Sequence, residues 1–140
     1  VGETLTATVR PVDRKPGELL AAVLVPPLPP GAGWPFRKVG TRKAQALSKT
    51  SVAAIVAGTG IRVALGAVAP TIFRSRGLEN RFAEDCAGDG RGFAGAAADI
   101  AAEYGRLVSP IDDGRSTARY RRNTAARLVA WALLRAAENR

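Results

Sequence analysis

The stretch that decides the fold is Phe36–Pro70: FRKVGTRKAQALSK over 36–49, then TSVAAIVAGTGIRVALGAVAP over 50–70. The first half is basic, with Arg37, Lys38, Arg42, Lys43 and Lys49. The second half holds two apolar runs, Thr50–Ala57 and Ile61–Val68, on either side of Gly58-Thr59-Gly60. Two runs of strand length around a short glycine-containing link predict a β-hairpin. In the second run Ile61, Val63, Leu65 and Ala67 share one face and Arg62 takes the other, as the period of a pleated strand requires. The expectation is a buried hairpin that acts as scaffold for the cationic segment entering it. Lys38–Lys49 is then the candidate place to meet a ligand. Lys offers a mobile point charge, Arg42 a planar fork for phosphate or carboxylate, and Gly40 a close backbone approach. Solvated charges beside a strand would show the same spacing, so both readings stand at this point.

Upstream, Glu3–Val9 alternates Leu5, Ala7 and Val9 with threonines and predicts a half-buried strand. Residues 10–17 form a polar loop with two prolines. Leu19–Val25 (LLAAVLV) is short and uniformly apolar and predicts a buried strand, stopped by Pro26 and Pro27. Pro26–Gly33 (PPLPPGAG) reads as a stiff connector rather than a polyproline ligand. Trp34–Val39 predicts another short strand.

After Pro70 the period changes to that of helices. Arg76–Ala87 carries Leu78, Phe82 and Cys86 four residues apart, and Phe93–Tyr104 carries Phe93, Ala97, Ile100 and Tyr104 on one side. Gly105 is the expected C-terminal cap of that second helix. The last helix is expected from near Ser116 or Thr117 to about Ala137, with Tyr120, Thr124, Leu128, Trp131 and Leu134 as its apolar stripe. Asp112 and Asp113 make a poor metal pair without His or further acids. They suit the start of this helix, offsetting its dipole and pairing with Arg115. The Arg119, Arg121 and Arg122 cluster reads as a solvated face rather than a nucleic-acid surface. Gly58-Thr59-Gly60 and Gly88-Asp89-Gly90 read as turns, because neither continues as a dinucleotide fingerprint.

Strands first and helices afterwards predict an α+β fold, an antiparallel sheet of three to four strands packed on three helices. With 140 residues, 46% of them hydrophobic, the chain can bury one core. The formal charge of +9 points to an anionic partner or to arginines spread over solvated faces. The absence of His rules out His-based triads and His metal sites. A single cysteine, Cys86, precludes an intrachain disulfide and fits a reducing, cytoplasmic setting. No run approaches the length of a membrane span, and no secretory signal pattern is present. With Val1 in first place and no Met anywhere, the expectation is a fragment or a processed chain.

FRKVGTRKAQALSK, followed by SVAAIVAGTGIRVALGAVAPT, resembles the C-terminal domain of the flavoprotein (medium) subunit of molybdenum hydroxylases, the carbon monoxide dehydrogenase and xanthine dehydrogenase relatives. SPIDDGRSTARYRRNTAARLVAWALLRA is similar to the closing loop and helix of that domain, and PGELLAAVLVPPLP to the strand that leads into it. The resemblance implies FAD held mainly by upstream domains, with this domain closing one side of the site. It implies residues 1–15 as the tail of an upstream flavin-binding domain or a linker, and 16–140 as the C-terminal domain. It places flavin contacts at Leu20 and Lys38, and near Arg42, Lys43 and Gln45. Ala44, Gln45 and Ala46 stand where the xanthine dehydrogenase branch carries acids, so NAD-linked behaviour does not follow. Partners implied are the upstream FAD-binding domain and the iron–sulfur and molybdenum subunits. No catalytic residue is expected, and the isolated chain should neither retain FAD tightly nor turn over. The competing classes are a small basic nucleic-acid-binding module, whose affinity would fall steeply with salt, and a dimerisation domain.

Overall fold

The apolar hairpin is present, and everything else packs around it. A computed structural model describes residues 15–19, 21–42, 44, 46–58, 60–88 and 92–139, with backbone alone at 86–88. Among the described residues the strands are β1 (Phe36–Val39), β2 (Thr50–Ala57) and β3 (Gly60–Gly66). They form one antiparallel sheet in the order β1-β2-β3. The helices are α1 (Arg76–Gly88), α2 (Gly92–Leu107) and α3 (Ala118–Glu138). This is the α+β arrangement expected, with the sheet at three strands. The predicted strand Glu3–Val9 and the acidic turn residue Asp89 lie outside the described residues.

The hairpin register pairs Val52 with Leu65, Ala54 with Val63 and Val56 with Ile61. All six side chains face the helices and are buried. In the third row of the core stand Ile100 and Tyr104 from α2 and Val129 and Leu133 from α3, all fully buried. Each such aliphatic or aromatic side chain contributes about 1.5–3 kcal/mol by leaving water. Helix α3 lies over β2 and α2, and α1 over β3 and α2. Phe82 meets Phe93 edge-on at 5.1 Å, and Phe73 meets Tyr104 edge-on at 6.0 Å.

The outer edge of β3 is closed by a carboxylate. Glu79, in the first turn of α1, accepts the backbone N–H of Val63 at 2.8 Å. Arg74 grips the same carboxylate with two donors, its Nη2 at 2.7 Å from Oε2 and its Nε at 2.8 Å from Oε1. An edge N–H that would otherwise be buried and unpaired therefore has a charged acceptor, and the acceptor has its counter-ion. The Glu79 hydrogen bond raises the Arg74 pKa, and burial pushes the Tyr104 hydroxyl pKa well up.

Several expectations need correction. Leu19 and residues 21–25 carry no strand, and Leu19, Leu24 and Val25 are 88%, 91% and 82% exposed. Apolar residues make a strand only where a neighbouring edge accepts their hydrogen bonds, and none of the described strands offers one to this run. Gly105 does not cap α2, which continues to Leu107. A Cβ there would lie 3.0 Å from the Cβ of Ala126, so the glycine serves close approach of α2 to α3. The stripe of α3 is rotated from the expected one: Tyr120 and Leu134 are exposed, while Ala125, Leu128, Val129, Ala132, Leu133 and Ala136 are buried. Small residues form this face because the helices sit close together. Thr117, rather than Ser116, caps α3, its hydroxyl accepting the N–H of Tyr120. Ala67, expected on the β3 face, lies past the strand end at φ 61°, a left-handed conformation unusual for a residue with a Cβ.

Candidate functional site

The sheet has two faces, and the helices cover only one. Odd-numbered residues of the first strand turn inward. A Cβ on Gly33 would run into the backbone oxygen of Ala136 on α3, Arg37 lies 5.0 Å over the Trp131 ring, and Val39 packs on the core. Even-numbered residues therefore turn outward. Gly33 pairs with Val56 ahead of β1, and Phe36, Lys38 and Ser51 follow in register, so Trp34 stands on the same outward face. Trp34 and Phe36 are each 63% exposed, and Lys38 is exposed beside them.

Across β2 and β3 the outward rows beside Phe36 and Lys38 are made of small residues. Phe36 pairs with Ala53 and then Ala64, and Lys38 with Ser51 and then Gly66. At the far end Ile55 pairs with Arg62. A Cβ on Gly66 would lie 2.5 Å from the Ser51 hydroxyl oxygen, which would have to turn aside. The proline segment lies against the same face. Val25–Pro29 and Ile55, Ala57 and Arg62 enclose a groove of about 350 Å³. The result is an outward face with Trp34, Phe36 and Lys38 along the β1 edge, alanine, serine and glycine across β2 and β3 beside them, and the groove at its far end. Among the described residues Lys38 has no carboxylate partner.

Of the residues predicted to contact a cofactor, Lys38 stands on this outward face and Arg42 is exposed in the loop after β1. Leu20, Lys43 and Gln45 lie outside the described residues. Gly40 has a different use from the one expected. A Cβ there would meet the Cβ of Ala46 at 2.5 Å, so the glycine lets Ala46 come close. Two other cations of the basic stretch turn to α3 instead. Arg37 stacks on Trp131, and Lys49 lies 5.4 Å over the Tyr120 ring, both on α3. Spacing alone could not separate Lys38 from these two, because the separation depends on which face each residue takes once paired.

The second polar cluster was only half legible. Asp112 accepts the N–H of Ala118 at the start of α3, and Asp113 pairs with Arg115 at 3.0 Å, as expected. The buried member was not anticipated. Arg121, read as part of a solvated cluster with Arg119 and Arg122, is 4% exposed. Its Nη2 donates to Asp113 at 2.6 Å and its Nη1 to the carbonyl of Ala67 at 3.0 Å. Asp113 also accepts the N–H groups of Arg115 and Ser116 at 2.9 and 3.0 Å. The Arg115 N–H, more than the Arg121 guanidinium and the Ser116 N–H, outweighs partial desolvation and holds the Asp113 pKa at about 2. Arg121 belongs to the inward register of α3, four residues before Ala125, and that register was the available signal.

Among the described residues no cluster could hold a metal ion, and no helix is long and apolar enough to cross a membrane. No curated protein matches the sequence. Solved structures do. A carbon monoxide dehydrogenase from Hydrogenophaga pseudoflava, in a form lacking the Mo-pyranopterin moiety of the molybdenum cofactor, is 28% identical. It superposes with a TM-score of 0.68 over 82% of this chain and 40% of that one. Reconstituted CO dehydrogenase from Oligotropha carboxidovorans is 22% identical, with a TM-score of 0.67 over 83% of this chain and 40% of that one. Quinoline 2-oxidoreductase from Pseudomonas putida 86 is 21% identical, with a TM-score of 0.63 over 78% and 38%. The last two likenesses establish the fold alone. The chain spans about 40% of the length of the carbon monoxide dehydrogenase chains it matches. The model of the CO dehydrogenase flavoprotein C-terminal domain matches residues 36–136, from the first residue of β1 to the last buried alanine of α3, and this chain belongs to that family.

Proposed function

We propose that this chain is the C-terminal domain of an FAD-dependent oxidoreductase subunit, and that the outward face of the sheet covers one side of the flavin. In this reading residues 16–140 are the domain, and 1–15 the tail of an upstream flavin-binding domain. The observation that carries it is the asymmetry of the sheet. One face is sealed by helices, while the other offers exposed Trp34 and Phe36, a floor of small residues and an unpaired Lys38.

The residues present suit a planar ring edged with hydrogen-bond acceptors. Alanine and glycine leave the floor flat, the aromatic wall excludes water from one side, and Lys38 can donate to a ring oxygen or nitrogen. Arg42 stands in the loop that follows, and Leu20, Lys43 and Gln45 complete the proposed set. When bound, FAD supplies the redox chemistry, passing electrons between iron–sulfur clusters and an external acceptor. The chain's own contribution is positional. Lys38 holds one edge and biases local charge, and the sheet removes that edge from water. The complex then comprises the upstream FAD-binding domain with iron–sulfur and molybdenum subunits, in a cytoplasmic setting, and the isolated chain is inactive.

The nucleic-acid alternative loses support from the same geometry. Arg121 is buried, Arg37 and Lys49 are stacked on rings, and Arg74 is paired with Glu79. Those cations do not form one exposed basic face.

The test is flavin retention. The purified 140-residue chain is expected to be colourless, and the intact subunit yellow. Lys38→Ala in the intact subunit should weaken flavin retention by about tenfold, the scale of one lost charge-assisted hydrogen bond. Stoichiometric flavin absorbance in the isolated chain, or unchanged retention in the Lys38 variant, would overturn the reading.

A further inference from the structure

A second cavity lies at the end of the sheet, between the loop after β3 and the loop after α2. Its volume is about 490 Å³, within the roughly 300–1,000 Å³ of small-molecule sites. Pro70, Ile72, Pro110 and Ile111 make its apolar walls, and Thr71 and Ser109 bring hydroxyl groups. Ile72 and Ile111 stay 48% and 69% exposed although they flank a concave site. The charged lining is Asp113, Arg115 and Arg121, two guanidinium groups against one carboxylate, so the cavity carries a local excess of one positive charge.

The two arginines are not equivalent. Arg121 is spent on Ala67 and Asp113, and its Nε is buried without a partner. Arg115 is half exposed. Its Nε and Nη2 lie 3.1 and 3.0 Å from Asp113, which leaves Nη1 without a partner among the described residues. Asp113 thus fixes the Arg115 fork in place before any ligand arrives, which lowers the ordering cost of binding.

We infer that this cavity binds a small organic anion with an apolar body and one carboxylate, held by Arg115. A phosphate dianion would bring two negative charges to a single positive excess and would face Asp113. A neutral apolar molecule would cover the Arg115 Nη1 donor without giving it an acceptor, and an unmade bond of that kind is costly. A cation would meet the positive excess. The proposal does not rest on the flavin reading, because none of the lining residues comes from β1.

The experiment is an amide-resolved NMR titration of the 140-residue chain with benzoate, its neutral isostere benzamide, and inorganic phosphate. Benzoate should produce saturable shifts at Thr71, Ile72, Ser109, Ile111 and Arg115, with benzamide and phosphate binding at least about fivefold more weakly. Arg115→Gln should weaken benzoate by about fivefold and leave benzamide unchanged, a modest loss because the guanidinium is half exposed. Arg127→Gln, an exposed change elsewhere on α3, should leave benzoate binding as it was. The inference fails if benzoate perturbs none of these amides, if benzamide or phosphate binds as well as benzoate, or if Arg115→Gln has no effect.

Discussion

The two faces of one sheet obey different rules. On the inward face β2 places Thr50, Val52, Ala54 and Val56, all buried, under α3. On the outward face the same strand places Ser51, Ala53, Ile55 and Ala57, of which none is fully buried. Residues one step apart thus differ in whether they hold the domain together or remain available. The inward face gains from size and fit. Beside β1 the outward face stays flat by using small residues, with Trp34, Phe36 and Lys38 at the β1 edge and Arg62 on β3.

Substitutions should separate the faces sharply. The largest effect is expected at the inward core. Phe82→Ala removes a fully buried ring that meets Phe93, and should cost about 3–5 kcal/mol in chemical denaturation. Next comes Gly33→Ala. Its Cβ cannot coexist with the Ala136 backbone oxygen, so strand and helix must separate, at a cost of about 2–3 kcal/mol. If this variant were as stable as the parent, the close contact between strand and α3 would be wrong.

Asp113 gives a smaller, pH-dependent effect. Its pKa lies at about 2 in the folded chain, below the roughly 3.9 of an unfolded aspartate. The group with the depressed value adds stability above about pH 4, and that contribution is lost as pH falls through about 2. Acid unfolding followed by circular dichroism should show this loss in the parent and a flatter profile in Asp113→Asn. The smallest effect belongs to the outward face. Lys38→Ala and Phe36→Ser should each change the stability of the isolated chain by no more than about 0.5 kcal/mol. A large loss at either position would mean that the outward face is part of the core and that the comparison of faces fails.

The sequence carried the sheet and helices because their periods differ. Two-residue alternation in Ile61, Val63 and Leu65 and four-residue spacing in Leu78 and Phe82 both put like residues on one face, and both faces are buried. The helix-start role of Asp112 and Asp113 was legible for a similar reason, since their donors are only a few residues away. Leu19–Val25 was misread because an apolar run says that burial is favoured without saying what would cover it. The α3 stripe was misread because alanines, weak in any hydrophobic pattern, are what a close helix–helix contact selects.

By itself, then, the order of residues determined the α+β layering, the hairpin, the basic lead-in and the family resemblance, all of which depend on neighbours within a few positions. Tertiary structure decided the rest. It sent Arg37 and Lys49 to α3 and left Lys38 outward, turned Gly33 and Gly105 into points of close approach, and buried Arg121 against Ala67, 54 residues away. Those outcomes depend on how separate elements meet, and local periodicity does not encode the distance between a strand and the helix that comes to lie on it.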